Sequence, residues 1–242
     1  MENQEQNLFP TETVELPSKG LIYPEDHPLR SGKVEMKYMT AKEEDILTNQ
    51  NFIEKGVVLD KLLESLTMKK FNIKDIHPGD KNAILVASRI LGYGKDYEFE
   101  YEGTKYTVDL SLIDNKPFNT QNLTEKGYTR YTLPSNDQEL IVRFLTEKDE
   151  EDIEKEIKNS SKVGVQSGEV TTRLKHQIMA VGDTTDRNEI RRFVENHLLA
   201  RDSRALRNHI KDVSPDVDLK FTADSGEEVA IPITLNFFWP DL

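Results

Sequence analysis

The sequence predicts an α+β protein of two related lobes from an internal duplication, each lobe a strand, a helical cluster and a β-hairpin. Three observations predict it. A strand leading into a capped acidic helix occurs twice, a Gly-Asp loop precedes a third helix twice, and each half closes on two alternating apolar runs around a turn.

The elements follow in order. Leu16-Pro17-Ser18 precedes an extended stretch at 34–39 and then Thr40-Ala41-Lys42-Glu43-Glu44-Asp45. Leu133-Pro134-Ser135 precedes 140–145 and then Thr146-Glu147-Lys148-Asp149-Glu150-Glu151. A threonine with an acid three residues on makes a capping box, full for Glu43 and weaker for the shorter Asp149. Glu44, Asp45, Glu150 and Glu151 suit the positive end of the helix dipole. Second helices read at 58–68 and 172–181, leading to Gly79-Asp80 and Gly182-Asp183. Third helices read at 81–91, stopped by Gly92-Tyr93-Gly94, and at 187–200, with one more at 203–211. Tyr97, Phe99 and Tyr101 alternate with glutamates before Glu102-Gly103, and Tyr106 and Val108 follow. Val217, Leu219 and Phe221 stand before Asp224-Ser225-Gly226, with Val229, Ile231 and Ile233 after it, so both halves end in a hairpin.

Pro117, Asn119, Asn122 and Gly127 break the periodicity, which places a linker at 115–130 between a first lobe at 14–114 and a second at 131–242. An N-terminal arm at 1–13 and the polar stretch 159–168 read as flexible.

A hydrophobic fraction of 36% against 31% charged leaves little apolar material for a thick core and favours exposed partner surfaces. The net charge of -12 repels polyphosphate and anionic lipid, which disfavours nucleic acid as a partner. With no cysteine, disulfides, thiolate nucleophiles and cysteine-ligated metals are excluded. Residues 1–7 lack the basic flank and apolar core of a signal peptide, and the apolar run 83–87 is too short for a bilayer.

The search for chemistry yields no cofactor or metal site. No Gly-x-Ser-x-Gly elbow is present, and His27, His77, His176, His197 and His209 lack metal-ligand spacing. Gly92-Tyr93-Gly94-Lys95 falls short of a phosphate loop and reads as a helix stop. Asp80, Asp183 and Asp186 read as helix caps rather than calcium ligands. The charged run 147–158 reads as a solvated helix face.

Two features point to partners. Arg187, Arg191, Arg192, Arg201, Arg204, Arg207 and Lys211 form a basic strip in an acidic chain, with Arg204, Arg207 and Lys211 on one helical face. It is expected to pair with the chain's own acidic helix or with an acidic partner. Phe237, Phe238 and Trp239 concentrate aromatics at the end of the sequence. Two readings stand level for them: docking on the chain's own core, or anchoring in a partner's pocket.

Leu16-Pro17-Ser18-Lys19-Gly20 with Tyr23-Pro24, the run from Met39 through Leu47, Gly79-Asp80-Lys81, and Arg89 with Gly92-Tyr93-Gly94 and Tyr97 resemble the T4-type phage baseplate hub and hub-assembly proteins. The likeness is clearest over 14–112. Some similar phage proteins carry paired cysteines in the hairpin matching 97–108; this chain has none, so cross-strand packing is expected there in place of zinc. The resemblance implies a non-catalytic, chaperone-like protein that binds hub or tail proteins in the host cytoplasm while a contractile tail is built. A permanent subunit of the virion's tail baseplate is the alternative, and a small-ligand or nucleotide-dependent enzyme a more distant one.

Overall fold

The computed structural model describes residues 10–69, 71–162 and 168–238. Strand β1 (Thr11–Glu15) pairs antiparallel with β2 (Lys33–Lys37), Val14 opposite Val34, across a long loop closed by the Leu16 amide on the Gly32 carbonyl. The loop folds tightly on itself at Gly20, where φ is +76° and a β-carbon would lie 2.3 Å from the Arg30 carbonyl oxygen, so glycine is required. Helices α1 (Ala41–Leu47), α2 (Gln50–Glu54) and α3 (Val58–Leu66) follow, and Thr67 returns the chain beside β2 in an antiparallel bridge to Met36. Helix α4 (Pro78–Tyr93) then leads into the hairpin of β3 (Asp96–Tyr101) and β4 (Thr104–Asp109).

The second half opens on β5 (Thr129–Thr132) and β6 (Glu139–Val142), with helices α5 (Glu147–Lys162) and α6 (Glu169–Gln177). Strand β7 (Ile178–Val181) completes a sheet of order β5-β6-β7. Helices α7 (Arg187–Asn196) and α8 (Ala200–Val213) precede a last hairpin of β8 (Lys220–Thr222) and β9 (Glu228–Ala230). Among the described residues the chain is thus a mixed α+β fold of eight α-helices and several small antiparallel sheets.

Several expected boundaries shift. Residues 178–181, expected to be helical, form β7, because Val142 and Leu140 of β6 offer a ladder to Ile178 and Val181. Residues 11–13, expected in a flexible arm, pair in β1, and 159–162 continue α5. The rest of the arm, 1–9, and residues 163–167 of the expected flexible stretch lie outside the described residues. The weaker of the two capping boxes is in fact closed: the Thr146 amide and hydroxyl both donate to Asp149 Oδ2 at 2.9 Å, and Arg143 holds Oδ1 at 2.6 Å.

Two apolar cores form. The first gathers Leu16, Met36, Leu47, Leu62, Leu63, Leu66 and Ile84, and takes in Phe221, Ile231, Phe237 and Phe238 from the end of the chain. The second holds Leu140, Val142, Leu174, Ile178, Ile190, Leu206 and Ile210. Each such fully buried aliphatic side chain contributes roughly 1.5–3 kcal/mol.

A polar node fixes the first core. Asp80, in the first turn of α4, is completely buried and accepts from the Ser18 amide at 2.9 Å, the Ser18 hydroxyl at 2.6 Å and the Tyr23 hydroxyl at 2.7 Å. The Tyr23 oxygen in turn accepts from the His77 amide at 3.1 Å. Burial raises the Asp80 pKa against these donors, and raises that of Tyr23. At the far end of α4, buried Arg89 donates to the carbonyls of Phe237 and Gly94 at 3.0 Å and lies over the rings of Tyr93 and Tyr97.

Replacing Asp80 by Ala strands three buried donors, each worth on the order of 1 kcal/mol or more. Urea denaturation of Asp80→Ala is expected to show a loss of about 3 kcal/mol or more, and a loss below about 1 kcal/mol would refute the node's role. Glu43, buried in the first capping box, accepts from Lys37 at 2.7 Å, Ser65 at 2.6 Å, and the Thr40 amide and hydroxyl. Burial works against its charge, yet these donors prevail and hold its pKa down at about 2. Its contribution is therefore complete above the ordinary value of 4.5 and is lost as the pH falls through about 2. Glu43→Gln is expected to cost about 2 kcal/mol at neutral pH, with the gap to the parent closing between those two pH values in denaturation series.

Candidate functional site: an exposed basic face

Helix α7 starts on Asp186, whose carboxylate accepts from the amides of Asn188 and Glu189 at 2.9 Å. Helix α8 packs Leu206 and Ile210 into the second core, with Asp202 one turn before them on the same inner face. That spacing turns Arg201, Arg204, Arg207 and Lys211 outward, and all four are exposed. Over 187–211, seven Lys and Arg stand against three carboxylates, one of them the buried Asp202.

The expected pairing with the acidic helix does not occur. The carboxylates of α5 go elsewhere: Glu147 to Lys81, Asp149 to Arg143, Glu150 to Arg173, Glu151 to Lys74, and Glu156 to His176. Lys175 of α6 takes Glu195 of α7 at 2.5 Å. Among the described residues, Arg201, Arg204, Arg207 and Lys211 have no carboxylate within 4.0 Å. Arg201 and Arg204, with Ala200, Ala205 and Asn208, line a shallow notch, next to Leu199 at 50% exposure. Arginine forks beside small apolar surface suit recognition of carboxylates on a protein.

Beneath this face, Asp202 Oδ1 and His209 Nε2 are buried and have no hydrogen-bond partner among the described residues. The His209 ring lies 4.6 Å from that of Tyr131, and burial lowers its pKa while Asp212 opposes the shift. No sequence signal announces these two orphaned atoms, because their burial depends on how α8 meets β5.

The aromatic residues at the end of the chain are placed differently. Phe237 and Phe238 are fully buried in the first core, Phe237 4.8 Å from Tyr97 and 5.5 Å from Phe238. As placed, they fill this chain's own interior and offer no surface to a partner. Trp239 lies outside the described residues.

Ser18, Tyr23 and Asp80 share one hydrogen-bonded cluster, which His77 joins through its main-chain amide rather than its imidazole. His77 Nδ1 accepts from the Gly79 amide at 3.1 Å as the cap of α4, the ring is buried, and its pKa is pushed down by that burial to about 4. Gly94 ends α4 and Lys95 pairs with Asp109, so the Gly92 to Lys95 segment serves a helix stop and a hairpin. Among the described residues no group of His, Asp and Glu is arranged to hold a metal ion, and no helix is long and apolar enough to cross a membrane. Compared with protein-family models, curated proteins and solved structures, the chain matches none.

Proposed function

We propose that this chain is a non-catalytic, chaperone-like protein of contractile-tail assembly that binds a baseplate hub or tail protein through the basic face of α8. The observation that carries the reading is the row Arg201, Arg204, Arg207 and Lys211, exposed and without an ion pair among the described residues, in a chain of net charge -12. An acidic patch on a partner would supply the missing carboxylates and steer the encounter. The tail-assembly setting rests on the resemblance alone. Its residues build the Asp80 and Arg89 nodes, so the likeness concerns the scaffold rather than the binding face.

Charge-led interfaces associate fast and separate readily, which suits a protein that covers a sticky surface in the host cytoplasm until the next component displaces it. A permanent place in the baseplate calls for a broad apolar interface. The large exposed apolar residues among those described, Tyr38, Leu112, Val170 and Leu199, lie on separate elements.

Co-expression with hub and neighbouring tail proteins, followed by pull-down and mass measurement, is expected to isolate a complex that weakens with salt. Combining Arg204→Glu, Arg207→Glu and Lys211→Glu should reduce capture at least tenfold while leaving the melting temperature within about 3 °C, since exposed substitutions cost little. Undiminished capture would remove the basic face as the site. No capture of any hub or tail protein would overturn the assembly reading, and retention in the finished particle would make the chain a permanent subunit.

We also infer that the two halves arose by duplication. A constant offset pairs Val34 with Leu140, Met36 with Val142, Lys37 with Arg143, Thr40 with Thr146, Glu43 with Asp149 and Leu47 with Ile153. In both sets the three apolar residues are buried, and the carboxylate is held by the matching threonine and the matching cation before it. In both, the segment after the next long helix, at Thr67 or Ile178, pairs antiparallel with the central strand. An experimental structure in which 33–67 and 139–178 differ in strand direction or order would remove this inference.

A further inference from the structure

The two hairpins do not form one sheet. Between them runs a groove of about 700 Å³, walled on one side by β3 from Tyr97 to Tyr101 and on the other by Val229, Ala230 and Pro232. The backbone register determines what β3 presents there. Its turn, Glu102-Gly103, has φ of 49° and 80°, the two-residue hairpin geometry, and the Leu110 amide bonds the Lys95 carbonyl at 2.8 Å. Hydrogen-bonded pairs therefore fall at 95/110, 97/108, 99/106 and 101/104, and the N–H and C=O groups of Glu98 and Glu100 point away from β4. Among the described residues neither Glu98 nor Glu100 makes a backbone bond to another element. By the same logic the Ile231 amide on the Leu219 carbonyl turns the backbone of Ala230 out of its own hairpin.

The side chains at this edge have a pattern. Glu98 and Glu100 are exposed, two residues apart on one face, and make no ion pair among the described residues; Lys105, opposite Glu100 on β4, makes none with it. Phe99, Tyr101 and Tyr106 are partly buried on the other face, where they pack around Phe221. An unpaired strand edge with alternating charge and aromatic side chains can add one more strand.

We propose that the free edge of β3 is a strand-addition site for an extended segment of a partner protein in which Lys or Arg alternates with apolar residues. Two cations spaced by two would face Glu98 and Glu100, and the intervening apolar side chains would meet the aromatic wall. The charges argue against a second copy of this chain, since β3 against β3 sets glutamates near glutamates, which is destabilising in a cross-strand pair. They equally disfavour nucleic acid. This site is separate from the basic face of α8 and does not rest on it.

The probe is a blocked seven-residue peptide of alternating Lys and Val, read by amide hydrogen exchange and fluorescence anisotropy on the full chain. Exchange at the Glu98 and Glu100 amides is expected to slow at least tenfold on saturation. Affinity is expected to fall at least tenfold for Glu98→Lys with Glu100→Lys, and for a peptide of equal composition with its lysines clustered at one end. Equal binding of both peptides, or of the double variant, would reduce the effect to non-specific attraction and overturn the proposal. Protection of these amides without peptide, in a dimer or in a monomer, would assign the edge to a second copy or to the chain's own segments and also overturn it.

Discussion

Burying the Asp80 carboxylate is the constraint on which the rest of the structure depends. A carboxylate removed from water costs several kcal/mol unless its oxygens are matched by donors, and here every donor is neutral: the Ser18 amide, the Ser18 hydroxyl and the Tyr23 hydroxyl. Meeting that demand draws the long loop between β1 and β2 onto the N-terminus of α4. The helix dipole adds favourable potential at the same place. The loop in turn must be tight enough for Ser18 to reach Asp80 with both its amide and its hydroxyl, which is where Gly20 and its close approach to Arg30 enter.

Once α4 is fixed at that end, its remaining surface orders three distant pieces of chain. Gly79 lies so close to Pro215 that a β-carbon would sit 2.0 Å from the Pro215 carbonyl oxygen, and Asn82 bonds Asp216 at 3.1 Å, so the end of α8 is pinned to the start of α4. Lys81 spans Asp60 at 2.8 Å and Glu147 at 3.1 Å, tying α3 and α5 together through one ammonium. His77 meets Phe144 edge to face, and Phe144 meets Phe118, which makes an aromatic seam between the two cores. At the other end Arg89 collects carbonyls from Gly94 and Phe237, so the last hairpin and its following turn return to the first core.

The parts legible in the sequence are those decided within a few residues. The two capping boxes, the Gly92-Tyr93-Gly94 stop and the Glu102-Gly103 turn depend on local backbone chemistry, and they form where spacing placed them. The misread parts depend on partners far along the chain. Residues 178–181 carry the apolar density of either a helix or a strand, and the ladder of β6 decides. Asp80 looked like an ordinary helix cap until Ser18 and Tyr23, some sixty residues earlier, made it the centre of a buried network. Phe237 and Phe238 could be seen as anchors but not which surface they anchor to, because the site that takes them is built with Tyr97 and Arg89, far back along the chain. The basic row was legible as a row. Its lack of partners was not, because Lys74, Lys81, Arg143, Arg173 and His176 engage the acidic helix first.

Helix α8 is left unsatisfied on both faces among the described residues. On its inner side only Leu206 and Ile210 are deeply buried apolar residues, while Asp202 and His209 each hide a polar atom with no partner, a cost of about 1–3 kcal/mol apiece. Its outer side sets Arg201, Arg204, Arg207 and Lys211 three and four residues apart, where like charges repel by about 0.2–0.5 kcal/mol per pair. A helix optimised for this fold alone would carry glutamates among those arginines and apolar side chains at 202 and 209. Carboxylates brought by a partner would turn each repulsive pair into a bridged one, so part of the binding energy would come from relief of strain already present in the free chain. That relief is electrostatic and therefore weakens with salt, which ties the reversibility of the proposed complex to the same arginines that form it.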